Sequence, residues 1–303
     1  MLRFGPVSQP SRSARRLALR TPAKVNLTLE ILGKRADGYH EISTVLQAVD
    51  LFDRLTVETA DTISMETSDP GLPTDDGNLV VRAARLLREA AGSRAGAHIT
   101  LDKRIPVAAG LGGGSSDAAA ALWALNRVWG LRWSRERLAE VAARIGSDVP
   151  FFLGRGRAVG TGRGERLRAL TSTGGLALVL VNPNFPLSTA EVYGRVPAGW
   201  RADAAGTAAM VQALRGRSVR HVAAALTNTL EGLVEPVVPA IGRMKAALLA
   251  AGALGAAMSG SGPTVFGVAR SLDHAQSIRR RVNRAGWSCW AVRSISGPAI
   301  RAV

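Results

Sequence analysis

Disulfides are out of reach for this chain, which has one cysteine, Cys289, among 303 residues. That excludes an internal disulfide framework and a cysteine-cluster zinc site. Lysine is also scarce. Only Lys24, Lys34, Lys103 and Lys245 are present, although Lys and Arg together number 39 and the net charge is +16. A positive charge of that size is the footprint of a nucleic-acid binder or of an enzyme for anionic substrates. So strong a bias towards Arg, amid abundant Ala and Gly, reads as genomic base composition more than as a selected surface. Aromatic residues make up 5%, too few for a platform that stacks single strands. No apolar run reaches the roughly 18–20 residues of a membrane span. The run Gly175–Val181 is strand-sized.

What is present describes a folded chain. Hydrophobic residues at 47% against 20% charged residues exclude disorder as the dominant state. A chain this long buries roughly 75% of its unfolded surface and needs no staples. At about 100–200 residues per domain it predicts two domains or one large one. The charge is uneven. Residues 1–24 hold six basic residues and no acid, and the first acid is Glu30. Residues 1–16, rich in Ser, Arg and Pro, have the composition of an organelle transit peptide or of a short disordered basic extension; the second reading is adopted here. No apolar core follows the arginines, which argues against a secretory signal.

Leu17–Leu32 alternates in places, with Val25, Leu27, Leu29 and Ile31 on one side, and predicts a long strand. A turn at Gly33–Gly38 precedes expected strands at Thr44–Asp50 and Arg54–Thr59. Asn78 is placed to cap a helix with Leu79, Ala83, Leu86, Leu87 and Ala90 as its stripe, ended by Gly92. A strand at Ala97–Leu101, a glycine-rich loop at Pro106–Gly114, a helix opening at Ser115 or Ser116 and running to Val128, and a helix capped by Ser134 follow. Gly154–Gly164 reads as loop. A strand at 175–182 opens the second half. Helices are expected near 188–194, 203–215, 236–251 and 272–284, with strands at 255–259, 264–269 and 288–295. The order is mixed, so the expected class is α+β.

The most informative stretch is Pro106-Val-Ala-Ala-Gly-Leu-Gly-Gly-Gly-Ser-Ser-Asp117. Glycines without Cβ let the backbone approach an anion closely. The Ala-rich helix that follows offers free N–H groups and the positive end of its dipole. The loop is not a Walker A sequence, because no Lys-Ser or Lys-Thr pair follows the glycines. It is not a dinucleotide fingerprint either, since the sixth position counted from Gly110 is Ser115.

This loop resembles the ATP loop of the galactokinase, homoserine kinase, mevalonate kinase and phosphomevalonate kinase superfamily. Pro22-Ala-Lys-Val-Asn26 is similar to its first motif, and Ala257-Met-Ser-Gly-Ser-Gly-Pro-Thr-Val-Phe-Gly267 to its third. Within the superfamily, Gly33–Ile42 and Gly146–Leu153 resemble the branch that acts on a cytidine-diphosphate-linked methylerythritol in the non-mevalonate isoprenoid pathway. The resemblance spans about residues 20 to 296. Ala108-Ala109 departs from it, where relatives usually carry glycines.

The resemblance implies a two-lobed α+β kinase. An N-terminal ATP-binding lobe would span 17–170 and a C-terminal α+β lobe 171–303, whose last strand returns to the first lobe. It implies ATP and Mg2+ as cofactors, with no metal ligand readable beyond Ser115 or Ser116. It implies that Pro106, Val107, Ala108, Ala109, Gly110, Leu111, Gly112, Gly113, Gly114, Ser115 and Ser116 cradle the nucleotide. Asp148 would orient the 2-hydroxyl of the methylerythritol unit and accept its proton late. Lys24 would partner Asp148 and stabilise developing charge. Tyr39, His40 and Tyr193 would hold the cytosine, and Asn26 would bond substrate hydroxyls. Read without the resemblance, Asp148 is an Asx-turn or helix cap, Lys24 a snorkelling strand lysine, Tyr39 a core residue and His40 a surface one. His98, His221 and His274 are read as structural. Other expectations are a cytoplasmic enzyme without nucleic-acid or membrane partners, as a monomer or weak homodimer. A kinase or decarboxylase for mevalonate or homoserine is the competing reading, which Asp37-Gly-Tyr-His40 disfavours.

Overall fold

The computed structural model describes residues 15–171, 174–283 and 286–303. Most of the expected extension (1–14), residues 172–173 beside the expected lobe boundary and Arg284, expected to end a helix, lie outside the described residues. Chain order runs β1 (Arg16–Lys34), β2 (His40–Ala60), β3 (Ile63–Thr67), α1 (Leu79–Ala90), β4 (Gly96–Asp102), α2 (Gly113–Val128), α3 (Arg135–Ile145), α4 (Val149–Phe152), β5 (Arg157–Thr161) and β6 (Arg166–Ala169). It continues through β7 (Ala177–Asn182), α5 (Thr189–Gly194), α6 (Ala205–Arg215), α7 (Val219–Ala224), β8 (Thr227–Asn228), α8 (Thr229–Val234) and α9 (Ala240–Ala250). Then come β9 (Ala256–Met258), β10 (Val265–Ala269), α10 (Leu272–Val282), β11 (Ser288–Arg293) and β12 (Arg301–Ala302). The fold is the expected α+β type.

Two sheets organise these elements. The first has the order β12-β1-β2-β4-β3, with β5 also on β2, β6 on β5 and β8 on β1. The second has the order β11-β7-β10-β9. β12 pairs antiparallel with β1 through Leu19–Ala302 and Arg20–Arg301, so the chain end returns to the first sheet. Helices α1 to α4 cover one face of that sheet, where Leu55, Val57 and Ile99 meet Val80, Leu87, Leu122 and Phe152. The opposite face carries Val25 and Leu27 against Leu178, Leu180 and Phe266. Val179 and Val181 point the other way, towards Met244, Leu248 and Ile278. β7 is therefore buried on both faces, which is why its sequence is an unbroken apolar run.

Several expectations are corrected. β2 is one strand, not two. It pairs with β5 at Thr44–Gln47 and with β4 from Arg54 to Ala60, so a change of partner stands where the alternation lapses. Residues 157–161 form a strand inside the expected loop, with Ala158 and Val159 buried. The α9 helix starts at Ala240 instead of 236, because Pro236 and Pro239 lack the N–H a helix interior needs. α2 starts at Gly113, two or three residues before the expected Ser115 or Ser116. The α1 stripe is rotated, with Val80, Val81 and Ala84 buried and Ala90 exposed. Residues 219–234, for which no element was expected, form α7, β8 and α8.

The α1 cap is as expected. Asn78 Oδ1 accepts from Val80 N at 3.0 Å, and its Nδ2 donates to Pro73 O at 2.8 Å. Asn78→Ala should cost about 1 kcal/mol. In a chain of this size that lowers Tm by about 2–4 °C, readable by calorimetry; an unchanged Tm would remove the cap from the stability of α1.

Candidate functional site

β1 brings the first site residues to one place. Bulges fall between Pro22 and Ala23 and between Asn26 and Thr28, and they re-aim the strand. Val25 and Leu27 enter the core, while Lys24 and Asn26 line a cavity of about 1060 Å³. Lys24 Nζ donates to Asn26 Oδ1 at 2.7 Å and lies 3.3 Å from Asp148 Oδ2. Asn26 Nδ2 donates to Thr44 Oγ1 at 2.8 Å. The Lys24 side chain is 5% exposed and that of Asp148 34%. One carboxylate thus faces open space with a buried ammonium behind it. Asp148 stands at the N-cap of α4, yet its side chain makes no capping bond. The cap reading is overturned, and the carboxylate is left available to the cavity.

The glycine loop forms the neighbouring wall. Lys24 N donates to Leu111 O at 2.9 Å, Leu187 N to Ala108 O at 3.2 Å and Thr264 N to Ala109 O at 3.3 Å. Ser259 Oγ donates to Gly110 O at 2.9 Å, which ties the second glycine turn, 259–262, to the loop. Gly112 (φ +67) is the N-cap of α2. The first-turn N–H groups of Gly113, Gly114 and Ser115 have no intrahelical carbonyl to bond, and all three residues line the cavity. This is an anion site built from backbone and helix dipole. Pro106, Val107, Ala108, Ala109, Gly110 and Gly112 line it too. Leu111 and Ser116 do not. Both are fully buried, and Ser116 Oγ has no hydrogen-bond partner among the described residues. Ala108 adopts φ +49, a conformation that costs a residue with a Cβ about 1–2 kcal/mol and glycine almost nothing. That strain gives the departure from the usual glycines a physical meaning.

Tyr39, His40 and Tyr193 line the far end of the cavity. The rings of His40 and Tyr193 lie 5.6 Å apart, tilted by 36°. Tyr39 is 56% exposed and presents its ring to the guanidinium of Arg163 at 4.9 Å. Burial, then the Lys34 ammonium, holds the His40 imidazole below its ordinary pKa. Burial and the Asp148 carboxylate push the Tyr193 phenol up. Every other site residue expected from the sequence meets in this one cavity.

Sequence reasoning missed several lining groups. Lys103 is clamped by Asp53 and by Asp117 Oδ2 at 2.9 Å, and Asp117 Oδ1 accepts from Thr21 Oγ1 at 2.6 Å. Burial, opposed by Lys103, raises the Asp117 pKa. A lysine three residues before the loop and an aspartate directly after its serines were the available signals. Arg163 and Lys34 line the Tyr39 end; Lys34 stands in the Gly33–Ile42 motif without having been given a role, and no motif announced Arg163. Among the described residues no group of three His, Cys, Asp or Glu could hold a metal ion, and no helix is long and apolar enough to cross a membrane.

The profile described as GHMP kinases N terminal domain matches residues 78–156, and that described as GHMP kinases C terminal matches 210–288. A 4-diphosphocytidyl-2-C-methyl-D-erythritol kinase of Pelotomaculum thermopropionicum is 50% identical over 264 residues, 86% of this chain and 92% of the relative. A crystal structure of 4-(cytidine 5'-diphospho)-2C-methyl-D-erythritol kinase superposes with a TM-score of 0.76 at 37% identity, covering 94% of this chain and 100% of that one. A homoserine kinase from Cytophaga hutchinsonii, at 21% identity and a TM-score of 0.79 over 99% of this chain and 100% of its own, shares the fold. With both domains matched and half of the aligned positions identical to such a relative, this chain belongs to the GHMP kinase family, enzymes that phosphorylate an alcohol with ATP.

Proposed function

We propose that the chain transfers the γ-phosphoryl of ATP to the 2-hydroxyl of 4-diphosphocytidyl-2-C-methyl-D-erythritol, a step of the non-mevalonate isoprenoid pathway. The observation that carries this reading is the 3.3 Å pair of Asp148 and Lys24 in the same cavity as the free N–H groups of Gly113, Gly114 and Ser115. Supporting it are the names of the relatives at 50% and 37% identity. The two lobes would divide at 170/171, the enzyme would act in the cytoplasm as a monomer or weak homodimer, and the cavity would lie where the two sheets' loops converge.

Phosphoryl transfer through a loose transition state is chiefly positioning and charge neutralisation. The loop at 106–115 holds the polyphosphate against the α2 N-terminus. Asp148 accepts a hydrogen bond from the acceptor hydroxyl and aims its oxygen at the γ-phosphorus. The new P–O bond forms as the bond to the β–γ bridging oxygen breaks, ADP leaves, and the hydroxyl proton passes to Asp148. Lys24 offsets charge on the transferred group. Leu111 and Ser116 support the loop from below. Magnesium fits a wall with the Ser115 hydroxyl at the helix start and the Asp117 and Asp148 carboxylates on its lining, because the ion takes most of its ligands from phosphate and water. It would supply charge neutralisation at the phosphate oxygens.

Tyr39, His40 and Tyr193 hold the cytosine, and Asn26 bonds substrate hydroxyls. A coupled ADP-release assay with the cytidine-linked alcohol, homoserine and mevalonate tests the reading, and turnover confined to one of the latter two would overturn it. Tyr39→Ala should weaken the cytidine-linked substrate by the ~1–3 kcal/mol of one stacked base, about 5- to 150-fold in KM. The KM for ATP should stay put, and a parallel rise in both constants would place Tyr39 outside the base site.

A further inference from the structure

The 259–262 turn touches more of the site than the glycine loop. Gly260 and Ser261 line the cavity. A Cβ on Gly260 would lie 3.2 Å from Lys24 Nζ, 3.2 Å from Asn26 Oδ1 and 3.3 Å from Gly110 O. The turn therefore packs against the buried ammonium itself, and its position bears on where that ammonium stands relative to Asp148. Within the turn, Gly262 N donates to Ser259 O and Ser259 N to Thr264 O, both at 2.9 Å. Its direct tie to β1 is a long one, from Asn26 N to Ser259 Oγ at 3.4 Å.

Asn228 supplies the stronger anchor. Its Nδ2 donates to Met258 O and to Gly260 O, each at 2.8 Å, and its Oδ1 accepts from Leu230 N at 3.0 Å as the cap of α8. Both amide hydrogens and the amide oxygen are thus engaged. Further into α8, Glu231 Oε2 accepts from Met258 N at 2.6 Å, so Met258 is held on both its N–H and its C=O by the start of one helix. β8 places Asn228 beside the strand that carries Lys24 and Asn26, since it pairs parallel with β1 through Thr28–Thr227 and Leu29–Asn228. The contacts close a ring. They run from Lys24 along β1 to β8, through the Asn228 amide to Gly260, and back to Lys24. Asn228 is half-buried and stands behind the cavity wall, not on it.

We propose that Asn228 is a positioning residue for phosphoryl transfer. By holding the two carbonyls that flank Ser259, it sets the 259–262 turn against Lys24 and keeps the Lys24–Asp148 pair in place beside the phosphate loop. This rests on the reading of Lys24 and Asp148 as the reacting pair. A turn left with the long Asn26 bond shifts, and placement on the scale of an ångström decides the rate of such a step. The glycine loop is spared, because its backbone bonds to Leu187, Thr264 and Lys24 do not pass through Asn228. The expected signature is therefore a loss in kcat with nucleotide binding kept.

Steady-state turnover of Asn228→Ser and Asn228→Asp, with the acceptor alcohol that wild type uses, tests the role. Serine and aspartate cap a helix about as well as asparagine, so α8 keeps its start. Neither supplies the amide hydrogens. The serine hydroxyl is too short to span two carbonyls, and the carboxylate turns acceptor oxygens towards them. kcat should fall about fivefold in the serine variant and at least about tenfold in the aspartate variant, with KM for ATP within about twofold. Ser271→Ala is the stability control. It removes the cap of α10, where Ser271 Oγ accepts from His274 N at 3.2 Å. It should lower Tm by about 2–4 °C and leave kcat unchanged. Wild-type kcat in the aspartate variant would overturn the positioning role. So would a kcat loss matched by a rise in KM for ATP, or an equal kcat loss in Ser271→Ala. Asp148→Asn, assayed beside them, separates the failures. If it collapses while the Asn228 variants do not, the positioning role alone falls. If it turns over like wild type, the reading of the reacting pair falls and the positioning role with it.

Discussion

Asp148→Asn lowers kcat by about 10²–10⁴, the range for losing a general base, with a much smaller change in KM. The amide is nearly isosteric, so the α4 start and the cavity keep their shape. It still accepts a hydrogen bond through its oxygen, so the acceptor alcohol is still held. What it lacks is the capacity to take the hydroxyl proton and the charge that balances Lys24. Lys24 remains bonded to Asn26 Oδ1 at 2.7 Å, which limits the disturbance behind the site. The Asp148 side chain is one-third exposed, so its own contribution to stability is modest. A circular dichroism melt close to wild type beside a collapsed kcat is the expected pair of results. Turnover near wild type would remove Asp148 from the chemistry and leave its pairing with Lys24 a structural detail.

The parts of this site that could be read in the sequence are those built from short contiguous segments. The glycine loop announces itself because glycine and serine runs before an Ala-rich helix have a narrow physical meaning. β1 is legible through its alternation, and α1 through its Asn78 cap. The charged clamp around Lys103 was hidden for the opposite reason. Asp53, Lys103 and Asp117 come from β2, from the end of β4 and from α2, and only the pairing of Arg54 with Asp102 brings the first two together. β5 was hidden by its glycines. At Gly160 a Cβ would lie 2.9 Å from Gly164 O, so the residue that looked like a loop marker is what lets the β5–β6 hairpin close. That hairpin carries Arg163 to Tyr39, and no local pattern reports it. α2 starts ahead of the expected Ser115 or Ser116 because Gly113 and Gly114, loop-like by composition, form its first turn, which is what exposes their N–H groups to the cavity.

Gly110→Ala should be the most disruptive small change in the loop. Gly110 has φ +75, a conformation that costs alanine about 1–2 kcal/mol. A Cβ there would lie 2.1 Å from Ser259 O and 3.0 Å from Gly262 N, and both are backbone atoms that cannot rotate away. Relief requires the loop and the 259–262 turn to separate, which breaks the bond from Ser259 Oγ to Gly110 O. Adding the strain of overpacking gives a loss of about 2–5 kcal/mol. Calorimetry should record it as a Tm lower by about 5–15 °C. The KM for ATP should rise by at least about tenfold, because the displaced loop no longer presents its N–H groups to the phosphates. Gly114→Ala is the internal control. It lies in the helix, and its Cβ would meet only Leu79 Cδ1 at 3.7 Å, so Tm should hold or rise as alanine replaces glycine in a helix. Equal Tm values for the two variants would mean that the loop does not bear on the 259–262 turn, and the shared wall of the phosphate site would have to be abandoned.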